Sequence, residues 1–293
     1  MDQAAKLRQQ VEKLKEQATT ARVIAVTSGK GGVGKTSISV NLALQFQKQG
    51  KRVVILDADF GLANVEVMLG IRPKYDLADV IFSNRSIEDI ITEGPAGIGF
   101  ISGGSGVQDM GNLDKNNLQK LIAQLVKLDN LYDIVIIDTG AGIADSVIEF
   151  VLSSPEVILV ITPEPTSITD AYSLLKVVNR KKEFDRNSKA IKVITNRVES
   201  YEDGQEIYEK IRIVVSKFLN IQLEYLGYIP YDKRMENAVL EQKPVVIVAP
   251  NSEPALRLKT ICNVLLNMPE EETKKYGIAK VLLDLIKNKK SKG

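Results

Sequence analysis

From Arg22 onward, short apolar runs alternate with amphipathic stretches. The runs are Val23–Thr27, Val53–Asp57, Ile98–Ser102, Ile134–Asp138, Val157–Thr162, Ile191–Thr195 and Tyr225–Ile229. They are continuous and rich in β-branched residues, the pattern of parallel strands covered on both faces. Segments of helical period separate them, among them Thr36–Gln49, Lys115–Leu128, Ser167–Lys181 and Gln205–Phe218. Repeated strand–helix units predict an α/β fold, a doubly wound, mostly parallel sheet flanked by helices. Ligands of such sheets sit at the carboxyl ends of the strands. No repeat or domain-scale linker interrupts 22–268, so one domain is expected there.

The two ends differ from this pattern. Residues 1–21 form a polar helical leader with a thin stripe, Leu7, Val11 and Leu14, too narrow for a core but wide enough to dock on a partner. Residues 269–293 form an expected C-terminal tail. Ile278, Val281, Leu282, Leu285 and Ile286 share one helical face, and 277–293 carries five lysines against one aspartate. Such a helix lies on an anionic membrane or packs on its own domain.

Composition narrows the chemistry. The 293 residues contain no histidine and one cysteine, Cys262. Imidazole catalysis, imidazole metal sites and internal disulfides are excluded. Net charge is +2, which argues against wholesale coating of nucleic acid. No stretch approaches the roughly 18 apolar residues of a membrane span, and the first residues are not those of a signal peptide. A cytoplasmic location is expected.

Gly29-Lys30-Gly31-Gly32-Val33-Gly34-Lys35-Thr36 matches the P-loop pattern. It follows an expected strand and opens an expected helix that continues with Ser37. The glycines allow close backbone approach to phosphate, and the helix start faces the anion. Lys35 is expected on the β- and γ-phosphates, and Thr36 on Mg²⁺. Two further strand ends carry acids. Asp57 and Asp59 share a strand face, although such a pair alone is equally a turn former. Asp138 ends an apolar run before the small residues 139–142, as a Walker B aspartate does.

The second lysine of the loop, Lys30, makes the motif similar to the deviant Walker A sequence of the MinD/ParA family. The resemblance spans Arg22 to about Asn267 and implies a SIMIBI-type P-loop NTPase that binds ATP or ADP with Mg²⁺ and hydrolyses ATP. It implies a homodimer in which Lys30 reaches the partner's nucleotide, delivering charge as an arginine finger does. It places Asp57 and Asp138 with Thr36 around the metal and Asp59 on the attacking water. It places Asn196, with Arg197 beside it, and Pro230 around adenine. Asp170 is expected near the P-loop.

Within the family, a single cysteine excludes the cluster-carrying branches. The basic tail resembles that of membrane-binding MinD. Asp2-Gln3-Ala4-Ala5-Lys6-Leu7-Arg8 resembles the leader motif of the flagellar FlhG (YlxH/FleN) branch. That resemblance implies control of flagellar number and placement. Gln3, Leu7 and Arg8 would act on an FlhF-type signal-recognition GTPase, with flagellar basal-body components as further partners. The cytoplasmic membrane surface is expected as a docking site, and DNA is not expected as a partner. A division-site regulator of MinD type and a DNA-segregation ATPase of ParA type are the alternatives.

Overall fold

The computed structural model describes residues 20–59, 64–104, 115–184, 191–268 and 277–290, without the side chains of 115–116 and 287–290. The leader residues Gln3, Leu7 and Arg8 therefore lie outside the described residues.

Eight strands form one sheet: β1 (Arg22–Ser28), β2 (Val53–Ala58), β3 (Thr92–Glu93), β4 (Gly99–Ser102), β5 (Ile134–Ala141), β6 (Glu156–Ile161), β7 (Ile191–Val198) and β8 (Leu223–Pro230). Their order is β3-β4-β2-β5-β1-β6-β7-β8. All pairs are parallel except β3 with β4. The seven expected strands are all present. β3 was not expected, because two residues carry no periodic signal.

The sheet sorts alternate residues to opposite faces, as its pleat requires. On β1, Ile24 and Val26 face one layer, formed by α1 (Lys35–Lys48), α2 (Asn64–Leu69), α9 (Lys233–Leu240), α10 (Val245–Val248) and α11 (Glu253–Leu266). Val23 and Ala25 face the other. That second layer contains α3 (Leu77–Phe82), α4 (Ile87–Ile90), α5 (Lys115–Leu131) and α12 (Gly277–Lys290). It continues over β6 and β7 as α6 (Asp145–Ser153), α7 (Pro165–Asn179) and α8 (Tyr201–Leu219).

Helix starts follow capping chemistry. Asp76 and Asp79 form a reciprocal capping box on α3. The Ser200 side chain accepts from the Asp203 N–H on α8. Pro165 occupies the first turn of α7, where a missing N–H is harmless.

The C-terminal helix departs from the sequence expectation. Ile278, Val281, Leu282, Leu285 and Ile286 are at most 2% exposed, and Ala279 and Leu283 are buried as well. Buried residues thus cover a broad side of the helix through Ile286, leaving Lys280 and Asp284 on the other side, and this part of the expected appendage packs into the core here. Asp129 of α5 supplies its cap, accepting from the Ile278 N–H at 2.7 Å. Gly277 sits at φ 68° against that carboxylate, and its N–H donates to the Ala21 carbonyl at 3.3 Å. Helical periodicity identifies an apolar face but not what covers it.

Candidate functional site

The P-loop runs from β1 into α1 at the carboxyl end of the sheet. Its shape depends on three glycines. Gly32 and Gly34 take positive φ, 77° and 95°. A side chain at Gly29 would run into the backbone of Asp170 and Ala171 on α7, which fulfils the expected closeness of Asp170. Asn196, at the end of β7, supports the loop from the far side. Its Nδ2 donates to the Val33 carbonyl at 2.8 Å and lies 2.5 Å from where a Gly34 Cβ would be. The Asn196 amide, expected at adenine, is therefore already committed to the P-loop through Nδ2.

Lys35 is 8% exposed. Burial lowers its pKa, while Asp138 and Asp59 act in the opposite direction. Asp138, fully buried on β5, accepts from Thr36 Oγ1 at 2.7 Å through Oδ2 and from Ser39 Oγ at 2.8 Å through Oδ1. Desolvation lifts its carboxyl to about 6, against the two hydroxyl bonds and Lys35. Asp57 is its register partner on the neighbouring strand β2. Burial, reinforced by Asp138, pushes Asp57 up to about 7. Its Oδ1 accepts from the Asp59 N–H at 3.0 Å and its Oδ2 from the Val65 N–H at 3.2 Å. Asp57 thus ties together the two sides of the 60–63 segment. Asn64 Nδ2 donates to Asp59 Oδ2 at 3.0 Å, which orients the carboxylate expected to direct water.

A cavity of about 340 Å³ opens beside these groups. Gly31, Gly32, Gly34, Lys35, Thr36 and Ser37 line one end, with Asp59 close by. Asn196, Arg197, Pro230 and Tyr231 line it as well. Arg197 adopts φ 59°, where the β7–β8 register shifts, and is exposed. The cavity therefore brings together the P-loop from Gly31 to Ser37 except Val33, Asp59 and the expected base-contacting residues; Asp138 and Asp57 join it through Thr36 and Asp59, whereas Lys30 is held by Glu164 outside the lining.

A nucleotide with Mg²⁺ fits this chemistry. The glycine cradle leaves the Gly32 Cβ direction open, Lys35 stands beside it, and Thr36 is paired with an acid. Among the described residues no cluster of three or more His, Cys, Asp or Glu forms a protein cage for a metal. Mg²⁺ needs none, since one or two carboxylates, phosphate oxygens and water suffice.

Sequence reading missed several participants. Ser39 was detectable as a polar residue within an apolar helix. Asn64, Met68 and Met235, all at the cavity, carry no motif. Glu164 was missed as well: it forms an ion pair with Lys30 from 134 residues away.

Comparison with known proteins agrees with this geometry. The ParA family model, described as a NUBPL iron-transfer P-loop NTPase, matches residues 19–266. The antiactivator FleN of Pseudomonas aeruginosa is 42% identical over 248 residues, covering 85% of this chain and 87% of FleN. The flagellum site-determining protein YlxH of Helicobacter pylori is 31% identical, covering 91% of this chain and 90% of YlxH. Among solved structures, Pyrococcus horikoshii MinD complexed with Mg-ADP superposes with a TM-score of 0.66 at 25% identity, covering 87% of this chain and 99% of that one. MinD in the MinC:MinD complex of Aquifex aeolicus gives 0.66 at 25% identity, with coverages of 85% and 97%. The iron chemistry in the family description has no counterpart in the only cysteine, which is buried on α11 with its thiol pushed up to about 12 by desolvation. The chain belongs to the ParA/MinD family of P-loop NTPases, in the branch of the flagellar regulators FleN and YlxH.

Proposed function

We propose that this chain is an ATP-operated dimerisation switch that sets flagellar number or placement. The observation that carries the reading is Lys30, a second lysine in a P-loop whose own phosphate lysine, Lys35, is already in place. Lys30 is tied to Glu164 of its own chain, so its positive charge is available to a partner only once that pair opens. The relatives' descriptions, antiactivator and flagellum site-determining protein, support the flagellar output.

In this reading the P-loop amides and Lys35 hold the phosphates, and Asn196, Arg197 and Pro230 border the base. Thr36, Asp57 and Asp138 would hold Mg²⁺, which supplies compensating charge to the phosphate oxygens. Asp59, oriented by Asn64, directs the water that attacks the γ-phosphorus. The bond between that phosphorus and its bridging oxygen breaks, leaving ADP and inorganic phosphate. Two protomers close on each other with ATP between them, each Lys30 crossing to its partner's nucleotide, and hydrolysis opens them.

The output passes through both termini. Residues 1–21 stimulate an FlhF-type GTPase through Gln3, Leu7 and Arg8, and basal-body proteins bind the folded domain. Helix α12 is exchanged from the core to the inner face of the cytoplasmic membrane. Six large side chains leave the core in that exchange, a cost on the order of 10 kcal/mol in water. Undocking must therefore be coupled to insertion into lipid, where the same apolar surface is buried again.

Chromatography with light scattering at increasing ATP tests the switch. Wild type should become a dimer and Lys30→Ala should stay monomeric; a wild type that is monomeric at saturating ATP overturns the reading. Because α12 is core, truncating it would test folding rather than membrane binding. Replacing Lys287, Lys289 and Lys290 with Glu should abolish sedimentation with anionic liposomes, and retained sedimentation refutes the membrane step.

A further inference from the structure

We infer that Ser39 is a positioning residue for the metal site, fixing the Asp138 carboxylate so that it can serve the cation that accompanies the nucleotide. The inference rests on the proposal that this site takes a Mg²⁺–nucleotide.

Asp138 is 0% exposed, lies within β5 and faces α1. A carboxylate in a dry site needs donors on its oxygens. Here each oxygen has its own: Thr36 Oγ1 on Oδ2 at 2.7 Å, Ser39 Oγ on Oδ1 at 2.8 Å. The two hydroxyls stand three residues apart on α1, on one helix face about a turn apart. Together they clamp the carboxylate plane. Thr36 cannot do this alone. Its hydroxyl has a single proton, already given to Oδ2, so rotation about the carboxylate's own bond would remain free.

Serine is an indifferent residue inside a helix and commonly bonds back to the preceding turn. Ser39 does neither service to the helix. It is fully buried, and its hydroxyl is spent across the layer on a catalytic-site acid. Its neighbour Ser37 lines the cavity, whereas Ser39 does not. Ser39 therefore acts on a bound ligand through Asp138, as outer partners tune the ligands of metal sites.

The test is a Mg²⁺ titration of the full-length protein with a fluorescent mant-ADP probe. Ser39→Ala should weaken apparent Mg²⁺ affinity about 10- to 100-fold. Mant-ADP affinity in EDTA should be unchanged. In an Asp138→Asn background, Ser39→Ala should add little further loss, because the group it positions is gone. Wild-type Mg²⁺ affinity in Ser39→Ala overturns the inference. An equal loss with and without Mg²⁺ also overturns it, since that would report a disturbed P-loop. A full additional loss in the Asp138→Asn background does the same. If the wild type shows no Mg²⁺-dependent binding of mant-ADP, the nucleotide reading fails instead.

Discussion

The Lys30 ammonium lies 2.5 Å from the Glu164 carboxylate at the start of α7, and the Thr166 hydroxyl accepts from it at 2.8 Å. The lysine that marks the motif as deviant is thus held by its own chain, on the helix whose backbone supports Gly29. The side chains are 34% and 52% exposed, so the pair is solvent-screened and easily opened.

Glu164→Gln should release Lys30 and raise the dimer fraction at limiting ATP by a few-fold. Sedimentation velocity across an ATP series measures this. Lys30 holds the Glu164 carboxyl below its ordinary range. The pair is therefore complete at neutral pH and weakens only as pH falls through that lowered value. A pH change between 6 and 8 should not mimic the mutation.

Asp59→Ala should slow ATP hydrolysis by about 100-fold or more, the scale for losing a positioned proton acceptor. ATP binding should persist, because Asp59 is not part of the P-loop cradle. The ATP-bound dimer should then accumulate. Phosphate release together with chromatography at saturating ATP checks both outcomes, and loss of the dimer would contradict the role.

The sheet and the phosphate site were legible in the sequence because both are written locally. Apolar runs mark strands covered on both faces, and Gly32, Gly34, Lys35 and Thr36 sit within one loop. Relationships between distant segments were not legible. Nothing near Glu164 identifies Lys30 as its partner, and nothing near Asp129 announces that it caps α12. Which of its two expected surroundings the C-terminal helix takes in this structure was not legible for the same reason. Its lysines and apolar stripe are equally consistent with lipid and with protein until α5 and α6 are seen to cover it.

Asp138 and Asp57 make the nucleotide-free protein sensitive to pH. Both carboxyls are raised, Asp138 to about 6 and Asp57 to about 7, chiefly by desolvation. A raised folded-state pKa favours the folded protein at low pH, and that advantage is lost as pH rises through the folded value. The unfolding temperature without ligand should therefore fall between pH 5 and 8. Asp138→Asn should raise it at pH 8 and flatten the slope, because the Thr36 and Ser39 hydroxyls can re-pair with an amide. Mg²⁺ and ADP should restore wild-type stability at pH 8 by binding the folded state. Differential scanning calorimetry with and without ligand reads both effects.

Asp129→Ala removes the cap from α12 and leaves the buried Ile278 N–H without its acceptor. The cost should be about 1–3 kcal/mol. The fold should survive, with helix docking weakened more than nucleotide binding. Liposome sedimentation without nucleotide should rise, and mant-ADP affinity should be unchanged. Unaltered sedimentation together with a lowered unfolding temperature would mean that Asp129 only stabilises the domain.

At the opposite end of the sheet, Arg22, Glu156 and Lys192 form a buried charge group. Arg22 Nε and Nη2 donate to Glu156 at 2.6 and 2.8 Å, Arg22 Nη1 donates to the Leu265 carbonyl at 2.6 Å, and Lys192 Nζ lies 3.5 Å from Glu156. All three residues are less than 10% exposed. Glu156→Ala should cost about 3–5 kcal/mol, because it strands two buried cations. Replacing Arg22, Glu156 and Lys192 together with Met, Leu and Met should cost much less, since no uncompensated charge remains. Nucleotide affinity of the folded protein should stay unchanged in both, because the group sits at the amino ends of β1, β6 and β7. Urea denaturation with parallel mant-ADP binding separates these outcomes: equal losses in the single and triple variants would show that packing, not charge pairing, sets the cost.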